Sequence, residues 1–268
     1  MDSGGDVRAM ILAAGYGTRL GDLTEETPKP LLPLQGRPLI EYVISNLAQH
    51  GFDEIAVNLH FMSDKVRGVL GDGSHWNVRI EYSEELELLG TAGGLKKMER
   101  FLRQGDAFLV HYGDILTDQD LAAMVKFHRQ RQALVTMLVH QRPDSNSIVE
   151  MDQQQRVIGF WERPDDQTRR RINSSWVNSA VCVCDPTVLE LIPDGTVCDL
   201  PRDVFPQLVS TGRLFGFPLT GYRCAIDSPT RYVEANAAIS EGRCETASIT
   251  CNRNRAAASA HGPSLSDG

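Results

Sequence analysis

The chain has 268 residues, of which 41% are apolar and 23% charged, and it carries a net charge of −8. That length suits one large α/β domain or two small ones, and the apolar share can fill a sizeable core. The acidic balance excludes a nucleic-acid binder held by phosphate contacts, but leaves room for a small phosphorylated ligand met by a local basic patch. No apolar run approaches the ~20 residues of a membrane-spanning helix, so no membrane partner is expected. The opening residues 1–6 are polar and too short for a signal peptide. Six cysteines, at 182, 184, 198, 224, 244 and 251, show no Cys-x-x-Cys spacing. They read as reduced thiols of a cytoplasmic protein. Cys182 and Cys184 alternate along one expected strand, which suits packing better than bridging.

Residues 7–14 read as the first strand, central and buried, because they are apolar without alternation. The strand runs into Leu12-Ala13-Ala14-Gly15-Tyr16-Gly17-Thr18-Arg19-Leu20, and Lys29 follows between Pro28 and Pro30. Glycines let successive N–H groups turn toward an anion. Arg19 adds a forked donor and Lys29 a point charge. Gly15-x-Gly17 is no dinucleotide fingerprint, since Leu20 stands at its sixth position, and no Lys-Ser or Lys-Thr closes a phosphate loop of the Gly-x4-Gly-Lys-Ser/Thr kind. The loop 15–33 exceeds the ~12–15 residues of an ordinary connection, which marks it as functional.

Pro38 at its first position opens a helix with a stripe of Leu39, Ile40, Val43, Ile44 and Leu47, and Gly51 stops it. Strands are expected at 55–59 and 78–82, with a helix at 63–70 between them. Glu84, Glu85 and Glu87 precede Leu89-Gly90-Thr91-Ala92-Gly93-Gly94 and a helix over 92–102. A buried strand at 107–111 ends in Tyr112-Gly113-Asp114, Asp118 caps a helix to 131, and a fifth strand covers 133–139. This alternation implies a parallel, doubly wound sheet with right-handed crossovers. The pattern then changes to a hairpin over 147–161, a strand at 176–184, short helices at 186–192 and 202–210, and late strands at 213–217 and 221–226. Ser228 and Pro229 open a last helix to about residue 240. Residues 246–268 are Ala-, Ser-, Asn- and Arg-rich and read as a disordered tail.

Ala13–Leu20, Pro28-Lys29-Pro30-Leu31-Leu32-Pro33 and Gly36-Arg37-Pro38-Leu39-Ile40-Glu41-Tyr42 together resemble the signature of the sugar-phosphate nucleotidyltransferases, also called NDP-sugar pyrophosphorylases. The match runs in register over residues 7–239. The resemblance implies a Rossmann-like α/β/α core of GT-A type, with a mostly parallel sheet and a smaller sugar-binding lobe. On that reading one nucleotidyltransferase domain spans 1–245, its core mainly 7–145 and its lobe mainly 146–226. The reaction it implies joins an NTP to a sugar 1-phosphate and releases pyrophosphate. With no hexapeptide repeats after residue 240 the compact branch is expected, and the Pro-Lys-Pro and Leu-Gly-Thr-Ala-Gly segments resemble members using GTP with mannose or heptose 1-phosphate; an adenylyl-, uridylyl- or thymidylyltransferase on another sugar 1-phosphate is the alternative. A homo-oligomer is left open.

The resemblance also assigns roles. Leu12, Ala13, Ala14, Gly15, Gly17 and Thr18 line the nucleotide site with Gly90 and Thr91; Glu87 either accepts from the base or stands in solvent. Arg19 and Lys29 act on the phosphates, and Asp114 and Asp227 hold Mg²⁺. Asp227 has a second reading, as an assistant to the Ser228 cap. Glu162 and Asn178 orient the sugar and Arg163, which stands where the family has a Lys, grips its phosphate, while Ala180 stands where the family has Gly. A non-catalytic sugar-nucleotide sensor on the same fold is the competing class.

Overall fold

The computed structural model describes residues 7–143 and 145–245, and the expected tail at 246–268 lies outside them. The first half holds β1 (Val7–Leu12), β2 (Pro33–Leu34), β3 (Arg37–Pro38), α1 (Leu39–Gln49), β4 (Glu54–Leu59), α2 (Ser63–Leu70), β5 (Arg79–Glu84), α3 (Gly90–Lys97), α4 (Glu99–Leu102), β6 (Ala107–Tyr112), β7 (Ile115–Thr117), α5 (Leu121–Arg131) and β8 (Val135–Gln141). The second half adds β9 (Ser147–Met151), β10 (Val157–Glu162), α6 (Asp166–Arg171), β11 (Trp176–Cys184), α7 (Phe205–Val209), β12 (Leu214–Pro218), β13 (Arg223–Ala225) and α8 (Pro229–Ser240).

One nine-stranded sheet runs through both halves. β1 pairs in parallel with β6 on one side and β4 on the other, and β5 follows β4 in parallel. Both faces of β1 are covered, which is why its sequence does not alternate with polar residues. Met10 enters one apolar cluster, with Phe108 and Leu95, while Ala9 and Ile11 enter the other, with Ile40, Ile44 and Leu47 from α1. Each such fully buried aliphatic side chain contributes roughly 1.5–3 kcal/mol of transfer free energy.

Alternation of strand and helix implies a parallel sheet, and β6 and β8 are not paired with each other. Instead β11 lies between them, antiparallel to both. Periodicity reports which faces are buried but not which strand takes an edge. β11 is broken by a bulge between Asn178 and Cys182. Its second half continues the core sheet, and its first half meets the expected β9–β10 hairpin. The lobe is thus an outgrowth of the same sheet. Cys182 and Cys184 share a face with sulfurs 3.7 Å apart, as packed thiols.

Several boundaries differ from expectation. Pro38 stands just before α1 rather than inside it. The helix expected over 92–102 starts at Gly90 and breaks at Met98. Asp120, not Asp118, caps α5: its carboxylate accepts from Ala123 N at 2.9 Å. Asp118 instead accepts from Tyr222 N at 2.5 Å and Glu245 N at 2.8 Å, tying the β7–β13 ribbon to the end of α8. The last helix begins as predicted, with Ser228 Oγ accepting from Arg231 N at 3.4 Å. Tyr232 Oη donates to Pro33 O at 2.5 Å, so α8 is anchored against the long loop. Among the described residues no helix is long and apolar enough to cross a membrane.

Replacing Asp120 by Ala removes a capping acceptor and is expected to cost ~1 kcal/mol. The urea midpoint falls while the slope of the transition stays constant; an unmoved midpoint contradicts the assignment of the cap.

Candidate active site

A cavity of about 390 Å³ opens where β1, β4 and β6 end. The register explains its position. Leu12 pairs with Tyr112 on one side and Asn58 on the other, so the segments leaving the three strands start level. Gly113 N then donates to Leu12 O at 2.8 Å, which places Asp114 beside the loop that follows β1. Ligands of open α/β sheets bind at this carboxyl edge.

The loop folds back by short helical turns. Gly17 has φ 73, and a Cβ there would stand 3.1 Å from the Lys29 side chain, so glycine lets the loop close over the lysine. Thr24 Oγ1 donates to Gly17 O at 3.2 Å, and Leu20 is buried beneath. A single helical turn over Lys29–Leu31 aims Lys29 inward, where Nζ donates to Asp114. Arg19, more exposed, lies 3.6 Å from Asp227. The cavity wall therefore contains Leu12, Ala13, Ala14, Gly15, Gly17, Thr18, Arg19, Lys29, Gly90, Thr91, Asp114 and Asp227. Asp114 and Asp227, each just past a strand, both line this cavity. Among the described residues no group of three or more His, Cys, Asp or Glu could hold a metal. Two carboxylates facing a polyphosphate-sized cavity suit Mg²⁺, which takes one or two carboxylates plus phosphate oxygens and water.

Other expected residues fall elsewhere. Glu87 is exposed and outside the wall; Glu85, two residues earlier, is inside it and buried. Glu85 Oε1 accepts from Asn58 Nδ2 at 2.8 Å and its Oε2 from Leu89 N at 3.0 Å, while Asn58 Oδ1 accepts from Ala13 N at 2.8 Å. This relay ties the first loop to the start of α3. A polar Asn inside the apolar run of β4 was the signal that could have revealed it.

The small residues at the start of α3 serve packing as well as access. Gly90 has φ 75, and a Cβ there would come within 2.5 Å of Cys198 O. Thr91 donates from both N and Oγ1 to Asp199 Oδ1 at 3.1 Å, which brings Asp199 into the cavity wall. Sequence reasoning missed Asp199, because a lone Asp in an irregular segment carries no pattern.

Glu162, Arg163 and Asn178 stand in the neighbouring lobe rather than in this cavity's wall. Burial pushes the Glu162 carboxyl up; Arg163 opposes that shift and Asp199 adds to it. The Arg163 side chain is 83% exposed, with Nε 3.9 Å from Glu162 Oε1. Asn178 Oδ1 accepts from Ala180 N at 3.1 Å across the bulge, where Ala180 takes φ 62. Glycine would adopt that conformation without the Cβ penalty.

Comparison with known proteins agrees with this architecture. The family model described as "Nucleotidyl transferase" matches residues 8–241, and the chain belongs to that family. It is 36% identical over 223 residues to a UTP–glucose-1-phosphate uridylyltransferase of Synechocystis, covering 78% of this chain and 57% of the relative. It is 32% identical over 240 residues to a mannose-1-phosphate guanylyltransferase of Mycobacterium tuberculosis, covering 88% and 65%. The chain thus spans less than two thirds of the length of these relatives. In fold it is similar to a putative glucose-1-phosphate thymidylyltransferase from Bacillus anthracis, with a TM-score of 0.79 at 22% identity, covering 91% of this chain and 98% of that one.

Two substitutions check the site's construction. Glu85→Gln keeps the shape but sets an N–H against Asn58 Nδ2 or Leu89 N, both donors, so unfolding free energy should fall by ~1–3 kcal/mol. Equal urea midpoints for the two proteins would refute the relay. Glu162 has a raised pKa, so the folded chain favours its protonated form and ionisation costs stability as pH rises. Glu162→Gln should therefore melt higher than wild type near pH 8, with the difference closing near pH 4. A shift equal at both pH values argues against burial as the cause.

Proposed function

We propose that this chain transfers a nucleoside monophosphate from an NTP to a sugar 1-phosphate, releasing pyrophosphate. The observation that carries the reading is the convergence of Arg19, Lys29, Asp114 and Asp227 on one cavity beneath a glycine loop. Lys29 meets Asp114, and Arg19 and Arg231 both meet Asp227; a polyphosphate that draws Lys29 and Arg19 to itself would free carboxylate oxygens for a cation. N–H groups of Gly15 to Thr18 and the Arg19 guanidinium take the β- and γ-phosphates. Lys29 offsets charge that develops at the α-phosphate. The attacking group is a phosphate oxygen of the sugar 1-phosphate, already ionised near pH 7, so no side-chain base is required. Asp114 and Asp227 would hold Mg²⁺, which when bound supplies charge neutralisation at the reacting phosphate. Glu162 and Asn178 orient the sugar.

For the substrates we favour GTP with mannose or heptose 1-phosphate. The similarity to a mannose-1-phosphate guanylyltransferase supports this choice. The similarity to a UTP–glucose-1-phosphate uridylyltransferase favours a second reading, UTP with glucose 1-phosphate. Pyrophosphate release from four NTPs crossed with mannose, glucose, N-acetylated and heptose 1-phosphates decides between them, and no release from any pair leaves the sensor reading standing.

Lys29→Ala should lower kcat/KM by ~10²–10³-fold in the same assay. Turnover within a few fold of wild type would remove Lys29 from the mechanism.

A further inference from the structure

Outside the cavity's wall, between Asp227 and the bulge of β11, stand basic side chains that the mechanism above leaves without a role. Arg223, on β13, reaches the bulge of β11, where its Nε donates to Ser179 O at 3.4 Å. Ser179 is buried, and its hydroxyl meets His140 Nδ1 at 2.7 Å. Arg231, in the first turn of α8, lies 3.5 Å from Asp227. Arg142, just past β8, stands close enough that it and Arg231 both repel the Arg223 charge, while Asp114 attracts it. His140 feels all three arginines; burial first and then those charges push it down to about 4. It is neutral near pH 7 and serves Ser179 as a hydrogen-bond partner.

The carboxylates that could balance these arginines are already engaged. Asp114 is taken by Lys29, and Asp227 is shared by Arg19 and Arg231. Positive charge thus gathers without a full set of counter-charges, in a chain whose net charge is −8. Partly desolvated like charges are costly unless an anion joins them.

We propose that Arg223, with Arg231 and Arg142, forms the seat for the phosphate of the sugar 1-phosphate, a role the family resemblance would give to Arg163. This inference rests on the function proposed above. Arg223 bonds to the residue after Asn178, the expected sugar ligand, and is drawn to Asp114 on its other side. A phosphate held there lies between the sugar and the reacting α-phosphate. Guanidinium forks match a phosphate dianion in geometry as well as charge. Arg163 has a side chain 83% exposed and a left-handed backbone, which suits a solvated rim residue.

The test compares Arg223→Gln, Arg142→Gln and Arg163→Gln. Arg223→Gln should raise KM for the accepted sugar 1-phosphate roughly 30-fold or more. Its NTP dissociation constant, measured by calorimetry without sugar, should stay close to that of wild type. Arg142→Gln should raise the same KM by a smaller factor, and Arg163→Gln should raise it less than Arg223→Gln does. Arg223→Lys, which keeps the charge, should recover part of the loss if the Gln variant melts without a cooperative transition. Inorganic phosphate at low ionic strength, with the nucleotide site filled by NTP, serves as the probe without turnover: wild type binds it and Arg223→Gln binds it more weakly, by about tenfold or more. Unchanged KM in both Arg223→Gln and Arg142→Gln, or a larger rise in Arg163→Gln, overturns the seat alone. If the wild-type chain releases no pyrophosphate with any NTP and sugar 1-phosphate, the reaction falls. Phosphate bound through Arg223 would then have another source.

Discussion

β1 is paired in parallel on both edges, in register, so that β1, β4 and β6 end side by side. Everything in the site follows from that edge. The peptide groups at the strand ends no longer have ladder partners and find them in Asn58 and in one another. Ala13 bonds to Asn58, and Gly113 bonds to Leu12; the loops depart from fixed points. Asp114 comes beside Lys29 because β6 ends level with β1, although 85 positions separate the two residues. Buried side chains on both faces hold the three strands in plane, which makes the edge a rigid mount.

The second organising feature is electrostatic. The chain is acidic overall, and its cavity wall sets Lys29 against Asp114 and Arg19 against Asp227, with Arg231 meeting Asp227 from α8. Such an arrangement holds its shape without ligand because opposite charges meet in pairs. α8 supports this balance mechanically: Tyr232 bonds to Pro33, so the helix that starts just after Asp227 is tied to the loop that carries Lys29.

The fold was legible wherever burial wrote a period into the sequence. α1, α2 and α8 fell within a residue of their expected limits, since apolar stripes, Gly stops and the Ser-Pro start each have one physical meaning. The glycine loop with Arg19 and Lys29 was legible too, because glycines and flanked cations are rare in that order. Misreadings came where two residues of one kind sit near each other without a period. Asp118 was chosen over Asp120 as the cap of α5. Nothing local distinguishes them; only the chain returning from Tyr222 chooses between them.

The sequence by itself determined that strands and helices alternate, that the first strand is central, and that a glycine loop carrying Arg19 follows it, with Lys29 between two prolines. Those are properties of single segments, set by periodicity, backbone freedom and the charge of a few side chains. Tertiary structure alone decided that β11 separates β6 from β8, that Asn58 and Glu85 brace the loop, and that Arg223 lies against Ser179. These are contacts between distant parts of the chain. They depend on which edge each strand takes, and no local pattern records that choice.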